Sequence, residues 1–215
     1  MKTYFIKDIF ESRRGIGIEL MSDDISEENI IFYVSAATLK KMGLSKGMDI
    51  DEIVYSEIED AHKLRVAVYK AADLLAAGNY SVARLQKKLT EKGIDKETAE
   101  KAAQYMEDRG YIREAEQAAD LARYLAETKM RGKKRIYAEL IQKGYGKFAV
   151  KHAIESISDE EFYDILTQHI KTKYKTPAAD RKETEKRIAA LMRQGFSAGD
   201  IVKALKEIDA DNAEI

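Results

Sequence analysis

Between positions 129 and 135 the chain reads Lys129-Met130-Arg131-Gly132-Lys133-Lys134-Arg135, five cations in seven residues. Such side chains make and break no bonds by themselves. Grouped at one turn they bind negative charge, carried by phosphate or by an acidic protein surface. A second group, Lys171, Lys173 and Lys175 with Arg181 and Lys182, follows in the next segment. Cations that close a helix complement its dipole, by only about 0.3 to 1 kcal/mol each. That explains Lys129 and Arg131 but not Lys133, Lys134 and Arg135, which open the following helix, where positive charge is mildly unfavourable. A partner bearing negative charge accounts for them. Lys129, Arg131, Lys133, Lys134, Arg135, Lys171, Lys173 and Lys175 are therefore the candidate partner-binding residues.

The remaining chemistry is thin. The chain has no Cys, which excludes a catalytic thiol, and its three histidines, His62, His152 and His169, never form a ligand-spaced pair. No phosphate-loop, dinucleotide, zinc-protease or nucleophile-elbow motif occurs. Gly15-Ile16-Gly17 sits inside an alternating strand pattern and reads as a bulge or hairpin feature. Acidic pairs such as Asp23-Asp24, Glu27-Glu28 and Asp159-Glu160-Glu161 fall in turns or at helix starts, where they complement the dipole. His152 beside Lys151 reads as a surface or boundary residue. The expectation is a non-enzymatic protein with no cofactor, no metal and no small-molecule substrate.

Among 215 residues, 37 are basic and 38 acidic, but the two signs are unevenly spread. Residues 1–62 hold 7 Lys/Arg against 13 Asp/Glu, a net of −6; residues 63–215 hold 30 against 25, a net of +5. Only one part is therefore suited to an anionic partner. An excess of +5 over 153 residues is small for autonomous tight DNA binding, which draws on many neutralised phosphates. The longest apolar runs, such as Ile30 to Val34, fall far short of the roughly 20 residues that span a bilayer. No membrane partner and a cytoplasmic location are expected.

These side chains need a scaffold. Ile16, Ile18 and Leu20 alternate with Gly15, Gly17 and Glu19, the period of a half-buried strand. Tyr4 to Phe10 and Ile30 to Val34 read likewise, with Ser22 to Asn29 as a polar turn between strands, so about three strands are expected. Ser35 opens a short helix closed by Gly43, and from Ile50 the spacing turns helical and runs into the next domain.

Beyond this the chain repeats. Leu89-Thr-Glu-Lys-Gly93-Ile94, Leu140-Ile-Gln-Lys-Gly144-Tyr145 and Leu191-Met-Arg-Gln-Gly195-Phe196 align with their glycines 51 residues apart. Counting on from each glycine, positions +6, +9, +10 and +13 are Ala99, Ala102, Ala103 and Met106; Val150, Ala153, Ile154 and Ile157; Ile201, Ala204, Leu205 and Ile208. Those offsets share one helical face. Each glycine closes one helix in the left-handed conformation and another follows, opened by Asp95 in the first unit and by Ser197 with Asp200 in the third. A further helix precedes each pair: Val66 to Ala77, Ala115 to Thr128 and Asp159 to Lys173, the last opened by the box Ser158 to Glu161. Pro177 marks a loop or the first turn of a helix. The fold class is mainly α: a tandem, elongated and curved array of three three-helix repeats behind a small β-rich N-terminal domain. The expected divisions are 1–62 for the β-rich domain, then 63–117, 118–158 and 159–215 for the repeats.

Leu74-Leu75, Leu85-x-x-x-Leu89-x-x-Lys92-Gly93, Gly110-Tyr111-Ile112, Ala118-Ala119 and Gly132-Lys-Lys-Arg135-Ile136-x-x-Glu139-Leu140-x-x-Lys143-Gly144 closely resemble the RecX family of recombination regulators. The resemblance covers about residues 63–208. Val34-x-x-x-x-Leu39 and Leu44-x-x-Gly47-Met48 are similar to the β-rich extension of some members. Arg113-Glu114 stands where members carry an acidic pair. The resemblance implies a bacterial protein that binds the RecA recombinase filament on single-stranded DNA, in its groove, and limits filament growth, strand exchange and ATPase activity. Single-stranded DNA is then met through the filament. Two other classes stay open on the residues alone: a helix-turn-helix-type DNA-binding regulator, for which the third helices offer only Lys96, Lys101, Lys147, Lys151 and Lys203, and a helical adaptor for an unrelated protein.

Overall fold

Strand β1 (Tyr4–Ser12) buries Tyr4 and Ile6, and β2 (Gly15–Ser22) buries Ile18 and Leu20, the alternation a sheet needs to cover one face. The computed structural model describes residues 3–22, 28–174 and 176–213. β1 and β2 form an antiparallel hairpin, tightened by the Ser12 hydroxyl, which donates to the Gly15 carbonyl at 2.8 Å and accepts from the Arg14 N–H at 3.2 Å. The Gly15-Ile16-Gly17 pair thus belongs to this hairpin. The Phe10 ring lies over Gly17, where a Cβ would come within 2.5 Å of it. β3 (Ile30–Val34) pairs with β2, and most of the polar turn expected between them lies outside the described residues. A fourth strand, β4 (Asp49–Ile50), pairs with β1 and completes the order β3-β2-β1-β4. Two residues are too few to show an alternation, so the count of three missed it. Helix α1 (Ala36–Met42) stands as expected, capped by Ser35 and closed by Gly43 at φ 63°.

Helix α2 (Glu52–Ala77) runs unbroken for 26 residues, opened by the Asp51 carboxylate on the Val54 N–H. Position 62/63, the expected edge of the β-rich domain, falls inside it. Ile58 and Tyr55 near its start cover the sheet, with the Tyr55 ring stacked 4.1 Å from Tyr4. Ala67 and Ala71 further on pack with α3 (Val82–Glu91) and α4 (Lys96–Asp108) around Leu85, Leu89, Ala99, Ala102, Ala103 and Met106. Alanine-lined faces let helix axes approach closely.

The chain divides into two compact units, Met1–Ile112 and Arg113–Ile215. The second holds α5 (Glu114–Glu127), α6 (Lys133–Gln142), α7 (Lys147–Glu155), α8 (Asp159–Lys173), α9 (Arg181–Arg193) and α10 (Ala198–Ala213). α5 begins ahead of the expected division at 117/118. Repeats two and three share one core, from Ala118 and Ile136 through Leu140, Val150 and Leu166 to Leu191 and Ile201, all fully buried.

The three repeat glycines close their helices alike. Gly93, Gly144 and Gly195 have φ of 83°, 86° and 98°. The N–H after each returns five residues, Ile94 to Leu89, Tyr145 to Leu140 and Phe196 to Leu191, at 3.1, 3.2 and 3.4 Å. That is the Schellman closure, and it folds the following apolar side chain onto the helix just ended. Asp95 and Ser158 cap α4 and α8 as their positions foretold, the latter through a full capping box. At α10 the Ser197 hydroxyl accepts from the Asp200 N–H at 3.1 Å, while the Asp200 carboxylate bonds the same hydroxyl. Pro177 lies in a loop, held by buried Arg187, which donates to the Thr176 carbonyl at 2.8 Å.

Candidate partner-binding surface

Backbone geometry, more than side chains, shapes the joint between α5 and α6. Past Glu127, the N–H groups of Thr128 and Lys129 both return to the Tyr124 carbonyl. Met130 then turns left-handed at φ 51°, alone among the described non-glycine residues, and the Arg131 N–H reaches the Leu125 carbonyl at 3.0 Å. A non-glycine residue there costs about 1 kcal/mol or more. Packing of Met130 on the core of the unit offsets it.

α6 opens at Gly132 without a side-chain cap. Its backbone donors instead find carbonyls from repeat three: Gly132 N–H to Gln194 at 2.9 Å and Lys134 N–H to Gly195 at 3.2 Å. A Cβ on Gly132 would lie 2.4 Å from the Gly195 carbonyl carbon, and one on Gly195 would lie 2.3 Å from the Arg135 nitrogen. The two segments touch backbone to backbone, which only glycine allows.

This contact changes the electrostatics of the basic turn. The C-terminal end of α9, negative by its dipole, sits at the start of α6 and offsets the cations gathered there. Lys133 forms an ion pair with Asp159 at the head of α8, and its ammonium lies 5.1 Å over the Phe162 ring. Arg135 Nε meets Glu139 Oε1 at 2.7 Å, and Arg131 Nε lies 3.8 Å from the same oxygen. Three of the five cations thus have partners inside the chain, and Asp159 is too distant in sequence for spacing to reveal it. The pairs of Lys133 and Arg135, whose cations are open to solvent, contribute under about 1 kcal/mol, so a stronger anion can displace them, whereas Arg131 Nε is buried. Lys134 is exposed with no carboxylate partner among the described residues, and exposed Lys129 lies 5.4 Å over the Tyr124 ring.

In the second cluster Lys171 is exposed, Lys173 lies 5.4 Å over the Tyr174 ring, and Lys175 falls outside the described residues. Arg181 pairs with Glu185 at 2.9 Å. Burial, then the charges of Lys173 and Arg131, hold the pKa of His169 below the ordinary 6.5. Its Nε2 is buried with no hydrogen-bond partner among the described residues, and its ring lies 6.5 Å from that of Phe196. Neither His169 nor the Gly132–Gly195 contact was visible in sequence, since both depend on residues far apart along the chain. His152, by contrast, is exposed on α7 as expected. A hollow of 320 Å³ lies beside the joint, lined by Lys133, Lys134, Asp159, Phe162, Phe196 and Asp200. No helix among the described residues is long and apolar enough to cross a membrane.

Fold and surface together define a three-helix-repeat protein behind a small antiparallel sheet, with a cationic joint in its second repeat. The family model for the third three-helix domain of RecX matches residues 159–205. The regulatory protein RecX of Bacillus licheniformis is 28% identical over 188 residues, 86% of this chain and 72% of that protein. That of Bacillus subtilis is 26% identical over 190 residues, 87% of this chain and 72% of that one. A crystal structure of regulatory protein RecX superposes with a TM-score of 0.76 at 21% identity, covering 95% of this chain and 99% of the other. RecX from Lactobacillus salivarius gives a TM-score of 0.60 at 19% identity, over 69% of this chain and 97% of its own. Over most of its length the chain is similar to regulatory proteins named RecX, and its fold matches theirs.

Proposed function

We propose that this chain binds the RecA recombinase filament on single-stranded DNA and limits its growth, strand exchange and ATPase activity, with no chemistry of its own. Similarity to RecX regulatory proteins supports the reading, and the observation that carries it is the exposed pair Lys129 and Lys134. Both stand on a joint whose backbone is locked by the Gly132–Gly195 contact, so their charge is presented without a loop having to order on binding. Lys171, Lys173 and Lys175 extend the surface in this proposal. Arg131, Lys133 and Arg135 contribute once the partner displaces Glu139 and Asp159.

The test is inhibition of RecA's DNA-dependent ATPase. The double change Lys129→Glu and Lys134→Glu leaves every internal ion pair of the turn in place. It should raise the half-inhibitory concentration on the order of tenfold, about 1.4 kcal/mol, with helicity unchanged. A control reversing Lys40, Lys41 and Lys46 should match the parent. Equal inhibition by both variants at low salt, where screening is weak, would remove the basic turn from the interface. Pull-down with RecA, with and without single-stranded DNA, separates this function from a DNA-binding regulator, which needs no RecA, and from an adaptor, which responds to neither.

A further inference from the structure

Unit one carries a groove that the basic turn does not explain. Arg14 from the β1–β2 hairpin, Tyr33 from β3, and Arg65, Tyr69, Lys70 and Asp73 from α2 surround a hollow of 390 Å³. A second hollow, of 500 Å³, shares Lys70 and Asp73 and continues along α2 to Ala77 and Lys92. Positions 65, 69, 70, 73 and 77 form one helical stripe, and at 1.5 Å per residue it makes a track about 18 Å long.

Four cations, Arg14, Arg65, Lys70 and Lys92, line this track with a single carboxylate, Asp73. None of the four has an ion-pair partner among the described residues. Lys63, just before them on α2, is by contrast tied to Glu59 and Asp60. Arg65 Nε donates to the Arg14 carbonyl at 2.6 Å and so fixes the hairpin against the helix. Among the described residues the Lys70 ammonium reaches only the Lys92 carbonyl, at 3.4 Å. Two aromatic rings stand among the cations: Tyr33, with the Arg14 guanidinium 5.7 Å from its centroid, and Tyr69, 40% exposed.

Spaced cations interleaved with open aromatic faces match a ligand that repeats phosphates and presents flat bases. Duplex DNA keeps its bases stacked inside, and an acidic peptide brings charge with nothing to lay on Tyr69. A track of this length exceeds one nucleotide. We propose that this groove binds a short stretch of single-stranded nucleic acid, with phosphates on Arg14, Arg65, Lys70 and Lys92 and a base on Tyr69. Because these cations meet no carboxylate partner among the described residues, no such ion pair has to break when a strand enters. The inference stands on unit one alone and needs no RecA.

Its test uses the full chain without RecA and measures fluorescence anisotropy of a labelled oligothymidylate of about 12 nucleotides. The parent should bind, more weakly as salt rises. Arg14→Glu with Lys70→Glu should lose on the order of tenfold or more in affinity and flatten the salt dependence. Tyr69→Ala should lose about fivefold or more with the salt slope kept, and Tyr69→Phe should bind like the parent. A circular dichroism melt verifies that each variant is folded. Absence of binding by the parent, or parent-like binding by the charge-reversed and Tyr69→Ala proteins, overturns the proposal. So does calorimetric binding of ATP that these variants abolish while oligothymidylate binding persists, since the groove would then serve a free nucleotide.

Discussion

Ser81 and Gly132 stand 51 residues apart, at the same place in the first and second repeats, and they open their helices by opposite means. Ser81, 2% exposed, caps α3 with its own hydroxyl on the Arg84 N–H at 3.2 Å. Gly132 offers no side chain and takes its contacts from the Gln194 and Gly195 carbonyls of the next repeat. Repeat one therefore satisfies the start of its second helix locally, whereas repeat two does so only when repeat three is in place. The same register position is a cap in one repeat and an inter-repeat seam in the other, and the cationic turn sits on the seam.

The sharpest way to break this comparison is to exchange the solutions. Gly132→Ser supplies the cap that serves α3 but drives a Cβ to 2.4 Å from the Gly195 carbonyl carbon. The loss should be on the order of 3 kcal/mol, read from the denaturant midpoint, because backbone on both sides leaves no flexible neighbour to yield. Gly195→Ala should cost a similar amount, combining the left-handed penalty with a clash at the Arg135 nitrogen. A neutral result for either would show that the seam adjusts freely.

Gly93 provides the matched control. It shares the conformation of Gly195, φ 83°, but nothing lies within 4 Å of an added Cβ. Gly93→Ala should therefore cost only the conformational term, about 1 to 2 kcal/mol, by thermal melting. If it equalled Gly195→Ala, the excess assigned to inter-repeat contact would vanish. Ser81→Ala should cost about 1 kcal/mol, the ordinary worth of a cap, with no effect on unit two.

The smallest expected effect is with pH. His169, at the seam, and His62, beneath the sheet, are both held below 6.5, first of all by burial. The native state then binds fewer protons than the unfolded chain, so stability is full above pH 6.5 and falls as pH drops below it. His62 Nδ1 accepts the Tyr33 N–H at 2.9 Å, a bond that protonation removes, while His169 Nε2 has no such partner. Changing His169 to Phe should flatten part of the acid-side slope and His62 to Phe the rest. A slope unaltered in the double variant would assign it to other groups.

Much of this architecture is legible because helices are specified by residues within a turn or two of one another. The 51-residue period placed Gly93, Gly144 and Gly195 at left-handed closures, and the +6 and +9 positions after each are buried. Caps at Ser35, Asp95 and Ser158 act on an N–H three residues on, so they too are local. The basic turn was equally visible as a cluster, since charge density needs no fold to be counted.

What the chain alone determined, then, is the set of helices, their closures and the face each one buries, all properties of short-range sterics and hydrophobic period. Which cations remain available was decided by tertiary packing. Lys133 meets Asp159 from another helix, and Gly132 meets Gly195 across 63 positions, so neither contact follows from spacing. The groove of Arg14, Arg65 and Tyr69 shows the same limit in reverse. Counting charge on either side of position 62 dissolves it into an acidic segment and a mildly basic one, because its residues come from a hairpin and a helix that straddle that division. Only the folding of α2 against the sheet brings them to one surface, since contact between residues distant in sequence is set by how elements pack and not by the pattern within any one of them.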